Sequence, residues 1–216
     1  CNDVFNQIAR DEKARDIRAS FLLAGAMLGR FGKAVMPMPG GCSIGLRPVD
    51  LHLKGFTSLG AECNIEQGMV NIEAKELKGN DVYLDFPSVG ATENIMLAGV
   101  LAKGETTISN CAIEPEIVDL AKFLNSIGAK ISGAGTDTIV IKGVNELGGC
   151  CHRVIPDRIE AGTFMIAVAG TGGNVKIQDV IPEQLRPVIS KLKEADVEVK
   201  EDENSVTVCS DGFIAN

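Results

Sequence analysis

The run Pro37-Met-Pro-Gly-Gly-Cys42-Ser-Ile-Gly-Leu-Arg47-Pro-Val-Asp50 holds the residues best suited to chemistry in this 216-residue chain. Gly40, Gly41 and Gly45 permit positive φ, so the segment can turn sharply and hold backbone N–H groups against a ligand. Cys42 then sits at its tip. Arg47 introduces a helix starting at Pro48, so its guanidinium and the helix N-terminal amides together favour an anion. The same positive field lowers a thiol pKa and makes Cys42 a candidate acid or nucleophile. The residues alone leave a second reading open, in which Pro-Gly-Gly is only a turn, Cys42 a small buried hydrophobe and Arg47 a solvated surface residue.

The elements that would position this loop repeat along the chain. Ser58-Leu-Gly-Ala-Glu62 returns as Ser126-Ile-Gly-Ala-Lys130 and, more weakly, around Lys193-Glu-Ala-Asp-Val197. Each follows a stretch of helical apolar spacing: Val49, Leu53, Phe56, then Ile117, Leu120, Ala121, Leu124, then Leu185, Val188, Ile189, Leu192. After each, the pattern alternates around a turn, which predicts hairpins over Cys63–Ala74, Ile131–Val144 and Val197–Cys209. A second helix family, rich in small residues, is predicted over Arg18–Phe31, Ala91–Lys103 and Ile159–Gly170, with Ala19-Ser20, Ala91-Thr92 and Gly162-Thr163 in matching places. Short strands follow, such as Glu105–Ile108 and Asn174–Ile177. Pro115, Pro156 and Pro182 stand at or just before helix starts, with Glu116, Asp157 and Glu183 in the first turn. The unit is strand, helix, strand, helix, hairpin, about 70 residues long and nearly three times repeated, an α+β architecture.

Composition narrows the function. With 21 Lys plus Arg against 29 Asp plus Glu, the net charge of -8 disfavours a nucleic-acid partner. No apolar run is long enough to span a bilayer, so a membrane role is not expected. Seven cysteines at positions 1, 42, 63, 111, 150, 151 and 209 form no C-x-x-C pair, which reads as reduced thiols in the cytoplasm. Cys150-Cys151-His152 is read as lying on a strand, where neighbouring side chains diverge and share no ion; no metal and no cofactor are expected. Gly-Thr-Gly-Gly173 reads as a helix terminator rather than a phosphate loop, and the charge-dense Lys191–Glu203 as a solvated face. A lone histidine such as His52 is read as a surface or core residue. The chain starts at Cys1 and is expected to be an interior piece of something longer.

The run Pro39-Gly-Gly-Cys-Ser-Ile-Gly-Leu-Arg-Pro-Val-Asp-Leu-His52 closely resembles the active-site loop of the UDP-N-acetylglucosamine 1-carboxyvinyltransferase family of enolpyruvyl transferases. Arg18-Ala-Ser20, Ser88-Val-Gly-Ala-Thr92, Glu114-Pro-Glu-Ile-Val-Asp119, Ser126-Ile-Gly-Ala-Lys-Ile-Ser132 and Pro156-Asp-Arg-Ile-Glu160 resemble it too, in the family's order. The resemblance implies a pseudo-threefold fold of such repeats in two domains, with residues 1–155 in the cysteine-loop domain and 156–216 in the second. It implies transfer of the enolpyruvyl group of phosphoenolpyruvate to the 3′-hydroxyl of UDP-N-acetylglucosamine. Cys42 is then the general acid, and the expected site of fosfomycin alkylation. Arg18 and Arg47 would hold anionic groups, Pro48, Val49, Asp50 and Leu51 would cradle the uridine, and Ser88, Val89 and Gly90 would face the diphosphate. Ser88 is equally read from local chemistry as a helix N-cap. The pattern departs at Asp16 and at Phe86-Pro87, where the family carries basic residues. Its N-terminal Lys-Asn pair, downstream Asp and C-terminal arginines have no counterpart here. The competing expectations are a shikimate-pathway enolpyruvyl transferase and a non-catalytic UDP-sugar-binding fragment.

Overall fold

A computed structural model describes residues 14, 15, 17–40 and 48–212. Cys42 and Arg47, together with Asp16, lie outside the described residues. The chain divides into two compact units at His152–Arg153.

In the first unit a 3-10 turn, Arg18–Leu22, leads into α1 (Leu23–Phe31), then β1 (Lys33–Pro37), α2 (Asp50–Ser58) and the hairpin β2 (Glu62–Glu66) and β3 (Met69–Glu73). The second copy follows as β4 (Asp81–Tyr83), α3 (Val89–Gly99), β5 (Glu105–Ser109), α4 (Pro115–Ser126), β6 (Lys130–Ser132) and β7 (Thr138–Lys142). The second unit holds α5 (Arg158–Thr171), β8 (Gly173–Gln178), α6 (Pro182–Glu194), β9 (Glu198–Glu201) and β10 (Ser205–Ser210). Each hairpin pairs the same way: the closing strand lies between the opening strand of its hairpin and the strand that precedes the long helix, giving orders β1-β3-β2, β5-β7-β6 and β8-β10-β9. Those pairs are antiparallel, while β4 adds to β5 in parallel. The repeat read from the sequence is therefore a repeat of topology, and among the described residues only the second copy carries all of its strands.

The long helices end alike because the same backbone device closes them. Ala61, Ala129 and Val197 each donate an N–H to the carbonyl five residues back, on Phe56, Leu124 and Leu192. Gly60, Gly128 and Asp196 supply the left-handed residue that this closure needs. Aspartate tolerates that conformation less well than glycine, which is why the third copy of the motif looks weak in sequence. At the N-termini, Pro115 and Pro182 occupy the first helical turn, and Asp157 caps α5 by accepting from the N–H groups of Ile159 (2.7 Å) and Glu160 (3.1 Å).

Two predicted helices are shorter than the sequence suggests. Ile17 offers no capping side chain, so the chain enters at Arg18–Leu22 with the tighter 3-10 spacing before α1 proper begins at Leu23. Helix α3 stops at Gly99, and Val100–Lys103 form a turn that brings the chain into β5. The expectation that Cys150–His152 lie on a strand is wrong: residues 143–157 form no helix until Arg158 and no strand. Polar side chains anchor the segment instead, with His152 Nε2 3.2 Å from Asp119 Oδ1 and the Ser126 hydroxyl donating to Cys150 Sγ. The charged face predicted around Lys191–Glu203 is exposed and laced with ion pairs, including Lys193–Glu201 and Lys200–Glu198.

The core of the first unit gathers Leu28, Met36, Phe56, Ile72, Ile95, Ile108 and Ile141. That of the second gathers Met165, Leu185, Val206 and Val208. Helix α3 is buried nearly all round, and glycines on α1 and α2 let these two helices approach it closely. A Cβ on Gly25 of α1 would lie 2.2 Å from the Asn94 carbonyl oxygen, and one on Gly55 of α2 would lie 2.3 Å from Ile95 Cγ1. Two buried side-chain oxygens lack a partner among the described residues, Glu114 Oε2 and the hydroxyl of Thr106, which is 1% exposed. Thr106→Val keeps the shape and removes the stranded hydroxyl. The expected outcome is a gain of about 1 kcal/mol in urea unfolding, and a lower midpoint for the variant would show that the hydroxyl is satisfied in solution.

Candidate active site

Three segments converge on a cleft of about 330 Å³ in the first unit. The 3-10 turn supplies Arg18, Phe21 and Leu22, the start of α2 supplies Val49 and His52, and the start of α3 supplies Val89, Gly90 and Glu93. Pro39, two residues beyond β1 and at the root of the glycine-rich loop, closes one side. Gly40 is held there by its N–H, which donates to the Arg15 carbonyl at 3.1 Å. The loop leaves β1 at residue 38 and α2 begins at residue 50, so the connection runs over residues 38–49. Its equivalents in the other copies are only residues 110–114 and 179–181.

Of the residues singled out from the sequence, Arg18, Val49, Val89 and Gly90 come together on this cleft. Ser88 is the N-cap of α3, its hydroxyl accepting from the Ala91 N–H at 3.4 Å. Pro48 and Asp50 are exposed at the entry to α2, whereas Leu51 is 4% exposed and packs in the core. The N-terminus of α3 faces the cleft through Val89 and Gly90, and unpaired helix amides there suit an anionic ligand.

Sequence reasoning passed over two residues of the site, His52 and Glu93. The signal was available as spacing: His52 lies three residues after Val49 and Glu93 three after Gly90, which places each on the same helix face as its cleft-lining neighbour. His52 is 6% exposed and packs edge-on against Phe21, with ring centroids 5.1 Å apart. Burial pushes its pKa down to about 4, the Arg18 charge adds to that, and Asp50 opposes it. Glu93 moves the other way, to about 7, through burial and then the nearby Glu116 charge. The cleft near neutral pH thus holds a permanent cation, an uncharged imidazole and a carboxyl group close to half-protonated.

The fold and the family of this chain agree with known proteins. The crystal structure of the enolpyruvyl transferase NikO from Streptomyces tendae superposes with a TM-score of 0.72 at 24% identity, covering 90% of this chain and 47% of that one. The EPSP synthase of Acinetobacter baumannii gives 0.63 at 25% identity over 90% of this chain and 46% of its own. The fold is that of the enolpyruvyl transferases. The sequence profile of the EPSP synthase (3-phosphoshikimate 1-carboxyvinyltransferase) family matches residues 3–213, and the chain belongs to that family. Among curated relatives, UDP-N-acetylglucosamine 1-carboxyvinyltransferase 1 of Caldanaerobacter subterraneus is 58% identical over 206 residues, which is 95% of this chain and 50% of that protein. UDP-N-acetylglucosamine 1-carboxyvinyltransferase 2 of Carboxydothermus hydrogenoformans is 59% identical over 203 residues, 93% of this chain and 48% of its own. The chain spans about half the length of the curated relatives it matches.

The displaced pKa values of His52 and Glu93 couple the fold to pH in opposite directions. The unfolded chain binds a proton at His52 below pH 6.5, while the native chain does not until about pH 4, so the contribution of His52 to stability falls as the pH drops through that window, whereas the raised pKa of Glu93 makes its contribution rise. The loss at His52 amounts to roughly 3 kcal/mol by pH 4, at about 1.36 kcal/mol for each unit by which its pKa is displaced. Between pH 7 and pH 4, urea unfolding is expected to show the native sequence losing roughly 3 kcal/mol relative to His52→Gln, because the opposing contribution of Glu93 is common to both. Equal acid sensitivity of the two would place the titrating group elsewhere.

Proposed function

We propose that this chain is part of an enzyme that transfers the carboxyvinyl group of phosphoenolpyruvate to the 3′-hydroxyl of UDP-N-acetylglucosamine and releases phosphate, the first committed step of peptidoglycan synthesis. The observation that carries this reading is the 58–59% identity, over more than nine-tenths of the chain, to proteins that bear that name. A shikimate-pathway transferase shares the fold, but the solved EPSP synthase is only 25% identical.

In the proposed reaction the 3′-hydroxyl gives up its proton to a base as its oxygen bonds to C2 of phosphoenolpyruvate, and the C2–C3 double bond opens as C3 takes a proton. The tetrahedral adduct then expels phosphate, and C3 gives up a proton to restore the enol ether. Cys42 is the proposed donor to C3, and its sulfur can also add to C2. Arg18 and Arg47 bind the anionic groups, a role suited to planar guanidinium forks. Ser88, Val89 and Gly90 bring the start of α3 to the diphosphate, and Pro48, Val49, Asp50 and Leu51 the start of α2 to the uridine. In this reading residues 1–155 belong to the cysteine-loop domain and 156–216 to the second domain. The reaction needs no cofactor and runs in the cytoplasm, where thiols stay reduced and both small-molecule substrates are soluble.

Two measurements test the assignment. In the full-length protein, phosphate release from phosphoenolpyruvate is expected with UDP-N-acetylglucosamine and not with shikimate 3-phosphate; the reverse preference would overturn it. Near neutral pH an alkylating reagent is expected to label Cys42 at least about tenfold faster than Cys63 or Cys111, because a cationic setting lowers a thiol pKa. Burial pushes the thiols of Cys63 and Cys111 up. Equal labelling by peptide mapping would make Cys42 a structural thiol.

A further inference from the structure

Asn94 lies on α3 with none of its surface exposed, yet it is polar. The repeat places it where the first copy has Leu22 and the third has Met165, two residues beyond the matched Ser20, Thr92 and Thr163. Packing of the repeat therefore does not demand an amide there. The amide is fully used. Its Oδ1 accepts from the Gly25 N–H at 2.7 Å, and its Nδ2 donates to the Phe21 carbonyl at 3.1 Å. A backbone N–H only donates and a carbonyl only accepts, so these two partners fix which end of the amide is oxygen and which is nitrogen. The third contact follows from that. Nδ2 lies 2.8 Å from His52 Nδ1 and can only donate, so His52 Nδ1 must be the bare, accepting nitrogen.

We propose that Asn94 is a positioning residue that locks His52 as the Nε2–H tautomer, so that His52 presents a hydrogen-bond donor to an oxyanion held in the cleft beside Arg18. The ring edge bearing Cε1 and Nε2 lies against Gly90, another residue of the cleft wall, where a Cβ would come within 3.1 Å of Cε1 and 3.5 Å of Nε2. The charged groups around the ring are Arg18 on the 3-10 turn, Asp50 on α2 and Glu93 on α3. The depressed pKa of His52 keeps this tautomer uncharged at neutral pH, so its donor is available without the cost of burying an imidazolium. The proposal deepens the transferase reading and rests on it only for the identity of the ligand.

The test uses the 216-residue chain, ¹⁵N-labelled, with long-range proton–nitrogen spectra of the histidine rings at pH 7 and inorganic phosphate as the probe. The chain has two histidines, so loss of one set of signals in His52→Gln assigns the ring. The expected spectrum shows a protonated Nε2 and a bare Nδ1, and phosphate shifts the Nε2–H signal. Removing the donor in His52→Leu is expected to weaken phosphate binding about tenfold, whereas His52→Gln, which can place an amide N–H at a similar reach, recovers most of it. Asn94→Asp replaces the donor facing Nδ1 with an acceptor and is expected to move the proton to Nδ1. A protonated Nδ1 in the native chain, or an Nε2–H signal indifferent to phosphate, would overturn the proposal. Both readings come from the native sequence and hold even if Asn94→Asp does not fold. They are also independent of turnover, so failure of the transfer assay would leave them standing.

Discussion

The close approach of three helical segments around a single buried amide is the constraint from which the cleft follows. Asn94 ties the 3-10 turn through the Phe21 carbonyl, α1 through the Gly25 N–H and α2 through His52. Each of those segments also carries a cleft residue or packs directly behind one. The contacts are possible only because Gly25 and Gly55 let backbone meet backbone and side chain at distances a Cβ would forbid. Losing the amide would take the side-chain partner from the buried Gly25 N–H, at a cost of about 1–3 kcal/mol, remove one of the donors to the Phe21 carbonyl and free the ring of His52 as well. Stability of the helix layer and geometry of the site are the same set of bonds.

Around that layer the fold repeats and the chemistry does not. Three copies share strand order, helix closure and the position of the long helix, so each can bury its own sheet against its own helices. The connection between the middle strand and the long helix is where the copies part, running over residues 38–49 in the first copy against 110–114 and 179–181 in the others. A longer connection at this place costs the scaffold little, since the entropy of loop closure grows only slowly with length. Near the start of this connection Pro39 lies on the cleft wall with Arg18, Val49 and Gly90.

The repeat was legible in the sequence because apolar period and helix-closing Gly-Ala pairs report directly on backbone. Gly60 and Gly128 announce the left-handed position, and the structure shows Asp196 doing the same work where the sequence signal fades. Local polarity was a poorer guide. Cys150-Cys151-His152 reads as an extended strand, yet what fixes the segment is a long-range contact of His152 with Asp119, separated by 33 residues and invisible to any window. His52 and Glu93 were passed over for a related reason: residue type suggests a solvated or incidental group, while burial, a tertiary property, is what makes each unusual. Arg18 was found by resemblance to a family, since an isolated arginine ahead of Ala-Ser carries no local signal of its own.

Desolvation also sets the charge of the cleft apart from the net charge of -8 of the whole chain. In open water a site with one arginine, one histidine and one glutamate would carry, near neutral pH, a carboxylate in direct competition with the ligand. Burial penalises every charge, and here it acts on the two ionisable groups that can yield: His52 gives up its proton and Glu93 tends to keep one. An arginine side chain stays charged across the physiological range. The same loss of solvent therefore leaves the cation in place and weakens its internal rival, so the cleft is more receptive to an anion than its residue list or the overall charge of the chain would suggest.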